Sequence, residues 1–274
     1  MLGLLLLAFV PGILAGPLAA GPAELVHNGV TANITSFPFQ AFLWINNGGY
    51  LCGGSFLNSR FILTAAHCAV QVNFTKQQLV FGGVQDPYDL GTVGIQSRRL
   101  KSYVIYPAFN RPVSSSHDIA IFEAEDDFEV TPYVDFIKIY VDDSFAEYPE
   151  SQPVYYTGYG TVIEKIQLQK LQLGQTHVFN NRTACKELWD NHAPIVKVTD
   201  MDICTDSQTV YTTKGDSGGP LLYKYQDGIS AEWRLIGVNS RHSTIDRNVP
   251  DVFVRTSKYC DFIAQVTRNT YTCF

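Results

Sequence analysis

Short apolar runs bounded by turn residues dominate the chain. The stretches 39–45, 61–64, 79–82, 100–105, 119–123, 154–157, 168–173, 221–225, 233–239 and 252–255 are rich in β-branched or aromatic side chains. Gly, Asn, Asp or Pro separate them, which predicts β-strands. Helical character is confined to 183–191 and 257–268, the second carrying Tyr259, Phe262, Ile263 and Val266 at helical spacing. Many short strands and few helices imply an all-β sandwich or barrel. The stretch 131–153, rich in Asp, Glu, Ser and Pro, reads as a linker between two halves. Repeats and low-complexity tracts are absent.

One apolar run differs from the rest. Residues 2–10 are continuously apolar, followed by small residues and by Pro11, Gly12, Gly16 and Pro17. The run is too short to span a bilayer, and the Pro and Gly residues interrupt a core helix. It reads as a secretory signal peptide ending between Ala15 and Ala20, so that 1–20 is leader, 21–25 a short propeptide and the remainder the mature protein, secreted to the extracellular space. Secretion makes the six cysteines, Cys52, Cys68, Cys185, Cys204, Cys260 and Cys273, candidates for disulfides, with fifteen pairings open on arithmetic alone. Their spacing fits no zinc site. Sequons at Asn33, Asn73 and Asn181 are glycosylation candidates.

Composition narrows the function classes. Hydrophobic residues make up 46% and charged residues 17%, the latter below the roughly 25% of an average soluble chain, so the chain folds rather than staying a disordered polyelectrolyte. A net charge of −6 without a Lys/Arg cluster argues against nucleic-acid binding.

Three segments carry chemistry: Leu63-Thr64-Ala65-Ala66-His67-Cys68, His117-Asp118-Ile119-Ala120, and Gly215-Asp216-Ser217-Gly218-Gly219-Pro220. Taken singly, His67 beside a cysteine is a buried structural histidine and Asp118 a loop carboxylate; all three together, in the order His, Asp, Ser, are not so explained. In that order the chain resembles the chymotrypsin/trypsin family of serine proteases. The resemblance extends to Phe37-Pro38-Phe39-Gln40, Cys52-Gly53-Gly54-Ser55, Gly158-Tyr159-Gly160, Leu235-Ile236-Gly237-Val238 and Val252-Phe253-Val254-Arg255. It implies two antiparallel six-stranded β-barrels with a C-terminal helix, about 26–140 and 141–274, and a site in the cleft between them. By the same resemblance Ser217 is the nucleophile, His67 its base and Asp118 the group that orients the imidazole, while the N–H groups of Gly215 and Ser217 form the oxyanion hole. Protein or peptide substrates, protein protease inhibitors as further partners, a monomer and no cofactor follow. Cys52 and Cys68 are implied to pair, as are Cys185 and Cys204; Cys260 and Cys273 are left to pair locally.

The departures are as informative. Relatives carry a cysteine four residues before the serine, where this chain has Thr213, and a bridge is lost. At the position that reads the side chain before the scissile bond stands Tyr211, six residues before Ser217; Ser240-Arg241-His242 and Pro250-Asp251-Val252 replace the usual pocket-wall segments. Asp251 is expected to face the pocket and to accept from the Tyr211 hydroxyl, with Lys214, Arg241 and His242 on the rim. The loop at Gly82-Gly83-Val84-Gln85 lacks carboxylates, and neither calcium nor another metal is expected. Val26-His27-Asn28-Gly29 matches the new N-terminus that pairs with the aspartate beside the serine, here Asp216. No Lys or Arg precedes Val26, so the activating cut after Leu25 falls to an enzyme of chymotrypsin-like preference. The altered pocket keeps a second reading in play, an inactive homologue acting as a secreted binding protein.

Overall fold

The computed structural model describes residues 28–112, 114–143, 153–161, 168, 170–179, 181–226 and 228–274. The expected signal peptide and propeptide, with Val26 and His27, lie outside them. Six strands form the first half: β2 (Gln40–Ile45), β3 (Tyr50–Phe56), β4 (Phe61–Thr64), β5 (Leu79–Gly82), β6 (Gln96–Ile105) and β7 (Ala120–Ala124). They close into an antiparallel barrel in the order β2-β3-β4-β7-β6-β5, around a core in which Phe56 and Phe128 pack at 4.6 Å between ring centres.

The second half contains β8 (Pro153–Gly158), β9 (Gln172–His177), β10 (Asp202–Thr205), β11 (Pro220–Gln226), β12 (Ala231–Arg241) and β13 (Asp251–Arg255). Their sheet runs β9-β8-β11-β12-β13-β10, with the two-residue β1 (Val30–Thr31) added outside β9. Val178, next to β9, bridges Thr205 at the end of β10. Phe179 N–H donates to Cys204 O at 2.8 Å and Asp206 N–H to His177 O at 3.0 Å. The two ends of the sheet therefore meet, and the all-β two-barrel architecture expected from the sequence is present.

Strand β3 is absent from the apolar runs because Gly53, Gly54 and Ser55 at its centre carry no large apolar side chain. The role of glycine here is close approach: a Cβ on Gly53 would lie 2.9 Å from Gly219 Cα, in the other half of the molecule. Strand β9 sits later than expected because its residues alternate buried and exposed with polar side chains on both faces, so hydrophobicity alone misplaces it. Helix α1 (Ala66–Ala69) is four residues long, too short for any periodic signal. Helix α2 (Arg182–His192) matches the expected segment. The C-terminal helix opens as a 3₁₀ turn at Thr256–Tyr259 before α3 (Cys260–Val266).

The disulfides are Cys52–Cys68, Cys185–Cys204 and Cys260–Cys273. Asn33, Asn73 and Asn181 are all exposed. The expected linker is built into the fold as far as residue 143. Ile137 N–H donates to Phe56 O of the first barrel at 3.0 Å, Leu235 N–H donates to Lys138 O at 2.9 Å, and Asp143 receives both Nε (2.6 Å) and Nη2 (2.8 Å) of Arg255. Residues 144–152 lie outside the described residues. The loop expected to lack calcium ligands has another use, since Gln85 accepts from Ile34 N–H at 2.9 Å and donates to Ala32 O at 2.8 Å, docking the N-terminal segment.

The halves are locked by polar contacts between buried groups. Thr157 Oγ1 donates to Gln40 Oε1 at 2.6 Å and Tyr159 Oη to Val84 O at 2.7 Å. The Tyr159 ring meets Phe42 edge-on at 5.2 Å. Removing only the hydroxyl strands a buried carbonyl, so Tyr159→Phe is expected to lower unfolding free energy by about 1–2 kcal/mol. Urea denaturation followed by tryptophan fluorescence checks it, and an unchanged midpoint would show that the contact contributes nothing.

Candidate active site

His67 projects from α1, immediately before Cys68, whose bridge to Cys52 pins the turn to β3. Its backbone N–H donates to Asp118 Oδ1 at 2.8 Å, and its Nδ1 lies 2.7 Å from Asp118 Oδ2. Asp118 precedes β7 and is buried. The left-handed backbone of His117, φ 53°, turns the chain there, and Ile119 N–H closes the kink onto His117 O at 2.8 Å. A third donor comes from the second barrel: Ser240 Oγ reaches Asp118 Oδ2 at 2.7 Å.

Burial pushes the Asp118 carboxyl up, but the bonds from His67 and Ser240 and the imidazole charge outweigh it, so Asp118 stays below its ordinary value. Burial pulls His67 down, while the bond to Asp118 and its charge lift it and Arg241 opposes; His67 ends above its ordinary value. With Asp118 ionised, the neutral ring carries its proton on Nδ1, and Nε2 is left as an acceptor.

Ser217 sits on a tight turn shaped by glycines. Gly215 and Gly218 have φ of 102° and 80°, the left-handed region that glycine alone enters freely, and a Cβ on Gly218 would strike Thr64 Oγ1 at 2.2 Å. Gly53 N–H donates to Ser217 O and Gly218 N–H to Asn239 O, each at 2.8 Å, holding the turn between the halves. His67 and Ser217 line one cavity of about 350 Å³, together with Tyr50, Leu51, Thr161, Leu168, Lys214 and Gly215. Among the described residues no acceptor takes the N–H of Gly215 or Ser217, so both are free to meet an oxyanion. A serine, a histidine held by a carboxylate and a glycine backbone lining one cavity are residue types that acyl transfer uses.

The trypsin family profile matches residues 26–263. The chain belongs to the trypsin family. The human and mouse atrial natriuretic peptide-converting enzymes are each 28% identical to it over 249 residues, 89% of this chain; the match spans 23% of the human protein and 21% of the mouse one. A crystal structure of the scabies mite inactivated protease paralogue S-D1 superposes with a TM-score of 0.73 at 21% identity, covering 90% of this chain and 99% of the mite chain. That likeness is one of fold.

Other trypsin-family positions depart from expectation here. Arg241 is not on the rim. It is buried, its Nη2 lies 3.1 Å from Asp202 Oδ1, and its Nη1 donates to Ser115 O and sits 3.5 Å from Ser240 Oγ. A guanidinium is too costly to bury unpaired, and Asp202 on β10 supplies the partner that the sequence reading missed. Ser240 faces Asp118 rather than a substrate channel. Lys214 is exposed at the cavity, as expected, and His242 is half-buried. Burial, with Arg247, His67 and Lys214 nearby, pushes His242 down to about 4, so it is neutral at physiological pH.

The pocket residues Tyr211 and Asp251 are both buried. The expected bond from the Tyr211 hydroxyl is not what satisfies Asp251: Oδ2 accepts from Thr212 N–H at 2.7 Å, and Oδ1 has no hydrogen-bond partner among the described residues. Instead the Tyr211 ring is covered by Arg247, whose guanidinium carbon lies 3.5 Å from the ring centre. Asp216 is enclosed by Gly160 N–H and Thr213 N–H, each at 2.8 Å, and by Thr213 Oγ1 at 3.3 Å. Thr213 thus occupies the lost cysteine's position as a donor. Cys52, His67 and Cys68 cluster closely, but the sulfurs are joined in a disulfide and offer no thiolate to a metal.

Burial pushes Asp216 up to about 6 and Asp251 up to about 7, against the hydrogen bonds that oppose it. Both groups bind a proton more tightly folded than unfolded. Their contribution to stability is therefore present below about pH 4 and lost as pH rises through 6 and 7. Asp251→Asn keeps the acceptor for Thr212 N–H and removes the charge. It is expected to stabilise the chain by on the order of 1–3 kcal/mol at pH 8 while changing little at pH 4. Thermal melts across that range check it, and an equal effect at both ends would refute the protonation argument.

Proposed function

We propose that this chain is a secreted serine endopeptidase acting through an acyl-enzyme. The observation that carries the reading is the 2.7 Å contact between His67 Nδ1 and Asp118 Oδ2, which aims the free face of a histidine into the cavity that Ser217 also lines. Ser217 Oγ attacks the peptide carbonyl carbon as His67 Nε2 takes its proton. The carbonyl oxygen, now an anion, accepts from the N–H groups of Gly215 and Ser217, each donor lowering the barrier by about 3–4 kcal/mol. Collapse breaks the C–N bond and His67 returns the proton to the leaving amine. Water then repeats the sequence on the ester and regenerates Ser217. Asp118 stabilises the imidazolium throughout.

Activation follows from Asp216. Among the described residues this carboxylate is bonded only to neutral donors, and an ammonium would relieve its desolvation. A chain cut after Leu25 supplies one at Val26. Secretion is supported by the apolar leader, the three disulfides and the exposed sequons; among the described residues no helix is long and apolar enough to cross a membrane.

One observation favours the second reading, a secreted binding protein on an inactive protease fold: Arg247 covers Tyr211 where relatives receive a side chain. A fluorophosphonate probe separates the two. The processed chain, with Val-His-Asn-Gly at its N-terminus, is expected to label at Ser217 and to cleave casein; Ser217→Ala is expected to lose both while melting within about 1 °C of the parent, because the hydroxyl contributes chemistry and little packing. No labelling of a folded, processed chain would leave the binding protein as the answer.

A further inference from the structure

The loop between β12 and β13 is a folded unit. Ser243 Oγ accepts from Ile245 N–H at 3.3 Å and Asp246 N–H at 2.9 Å, and Val249 N–H returns to Asp246 O at 3.4 Å. From beneath, the buried Ser207 Oγ lies 2.8 Å from Val249 O and 3.0 Å from Arg247 O. These contacts hold the backbone so that Arg247 turns inward. Its Nη1 donates to Ser243 O at 2.6 Å, and its guanidinium carbon lies over the Tyr211 ring, 3.5 Å from the ring centre.

Tyr211 is six residues before Ser217 and is 5% exposed. Next to it, Thr212 N–H is held by Asp251, whose Oδ1 is buried and, among the described residues, has no hydrogen-bond partner. The site therefore offers an aromatic face and an unsatisfied carboxylate oxygen. That pair suits a flat, weakly hydrated cation, which stacks on the ring while its charge faces the acid. The cation now on the ring belongs to the chain itself. The cavity that stays open beside Ser217 is lined by Tyr50, Leu51, Thr161 and Leu168 and by none of Tyr211, Arg247 or Asp251.

We infer that Arg247 is an intramolecular ligand of the pocket beside Ser217, and that the pocket accepts amidinium or guanidinium groups only when Arg247 has left the Tyr211 ring. Arg247 is then a specificity-determining residue: it selects against basic side chains in a pocket whose walls are built for them. The inference uses the proposed peptidase reading only to call the pocket a specificity pocket; the binding claim stands without turnover.

The test is binding of p-aminobenzamidine to the full chain, read by the probe's fluorescence, so a chain that never hydrolyses a peptide still gives an answer. The unmodified chain is expected to bind weakly. Arg247→Ala is expected to bind at least tenfold tighter, and Arg247→Gln, which keeps a donor for Ser243 O, at least severalfold tighter. Adding Asp251→Asn to either is expected to cancel the gain. Where the alanine variant does not fold, the glutamine variant carries the comparison. Binding by the unmodified chain as tight as by the variants overturns the inference, as does a gain that survives Asp251→Asn. Equal, weak binding by all forms overturns it too, because removing Arg247 would then open nothing.

Discussion

A buried carboxylate must be matched by donors, and Asp118 imposes that constraint on the whole molecule. Its partners come from different places: two from α1 at His67 and one from β12 at Ser240. The two bonds from His67 lie within the first barrel, and the third forms only when the second barrel is docked on it. The Cys52–Cys68 bridge fixes the first-barrel side of the cleft, and the 2.8 Å contact from Gly53 N–H to Ser217 O crosses it. The histidine and the serine are brought to one cavity as a consequence. Chemistry and assembly here depend on the same few hydrogen bonds, so damage to the interface and damage to the site are one event.

Behind Asp118 the charge continues inward. Arg241 sits against Ser240 and is paired with Asp202, itself held by Thr199 N–H at 2.9 Å. Such a pair is weak evidence for stability, because desolvating two ions offsets much of their attraction. What it does provide is a fixed positive charge near the Asp118–His67 couple, and that charge lowers the imidazole's proton affinity against the lift from Asp118. The imidazole is thereby set by its burial and by two opposed neighbours rather than by Asp118 alone.

The sequence was most informative where an interaction is local or a motif is joint. His67, Asp118 and Ser217 each sit in a segment whose neighbours have a structural reason to be there, such as Cys68 in its bridge and Gly218 at a position a Cβ cannot occupy. Strands with one dominant apolar face, such as β4 and β5, were found at their observed limits. Elements made by tertiary contact were not. Strand β3 has glycines at its centre where the turn at Gly219 approaches, and β10, with an aspartate and a cysteine, is tied to Arg241 and to Cys185. Arg241 looked like a rim residue because nothing local announces a partner on a distant strand. Arg247 gave no signal at all, since a lone arginine in a loop reads as solvated until the fold sets it on Tyr211.

The departures from the family pattern are coupled, which is why reading them one at a time failed. Burial pushes the Asp251 carboxyl up to about 7 against the bonds from Thr212, and Arg247 is the nearby cation that also opposes that push. Burial, with the charges of Arg247, His67 and Lys214, keeps His242 uncharged. Tyr211 in turn gives Arg247 a surface on which to shed water, which a small residue at that position would not. Tyr211, Arg247 and Asp251 are thus joined by contact and charge, apart from His67, Asp118 and Ser217.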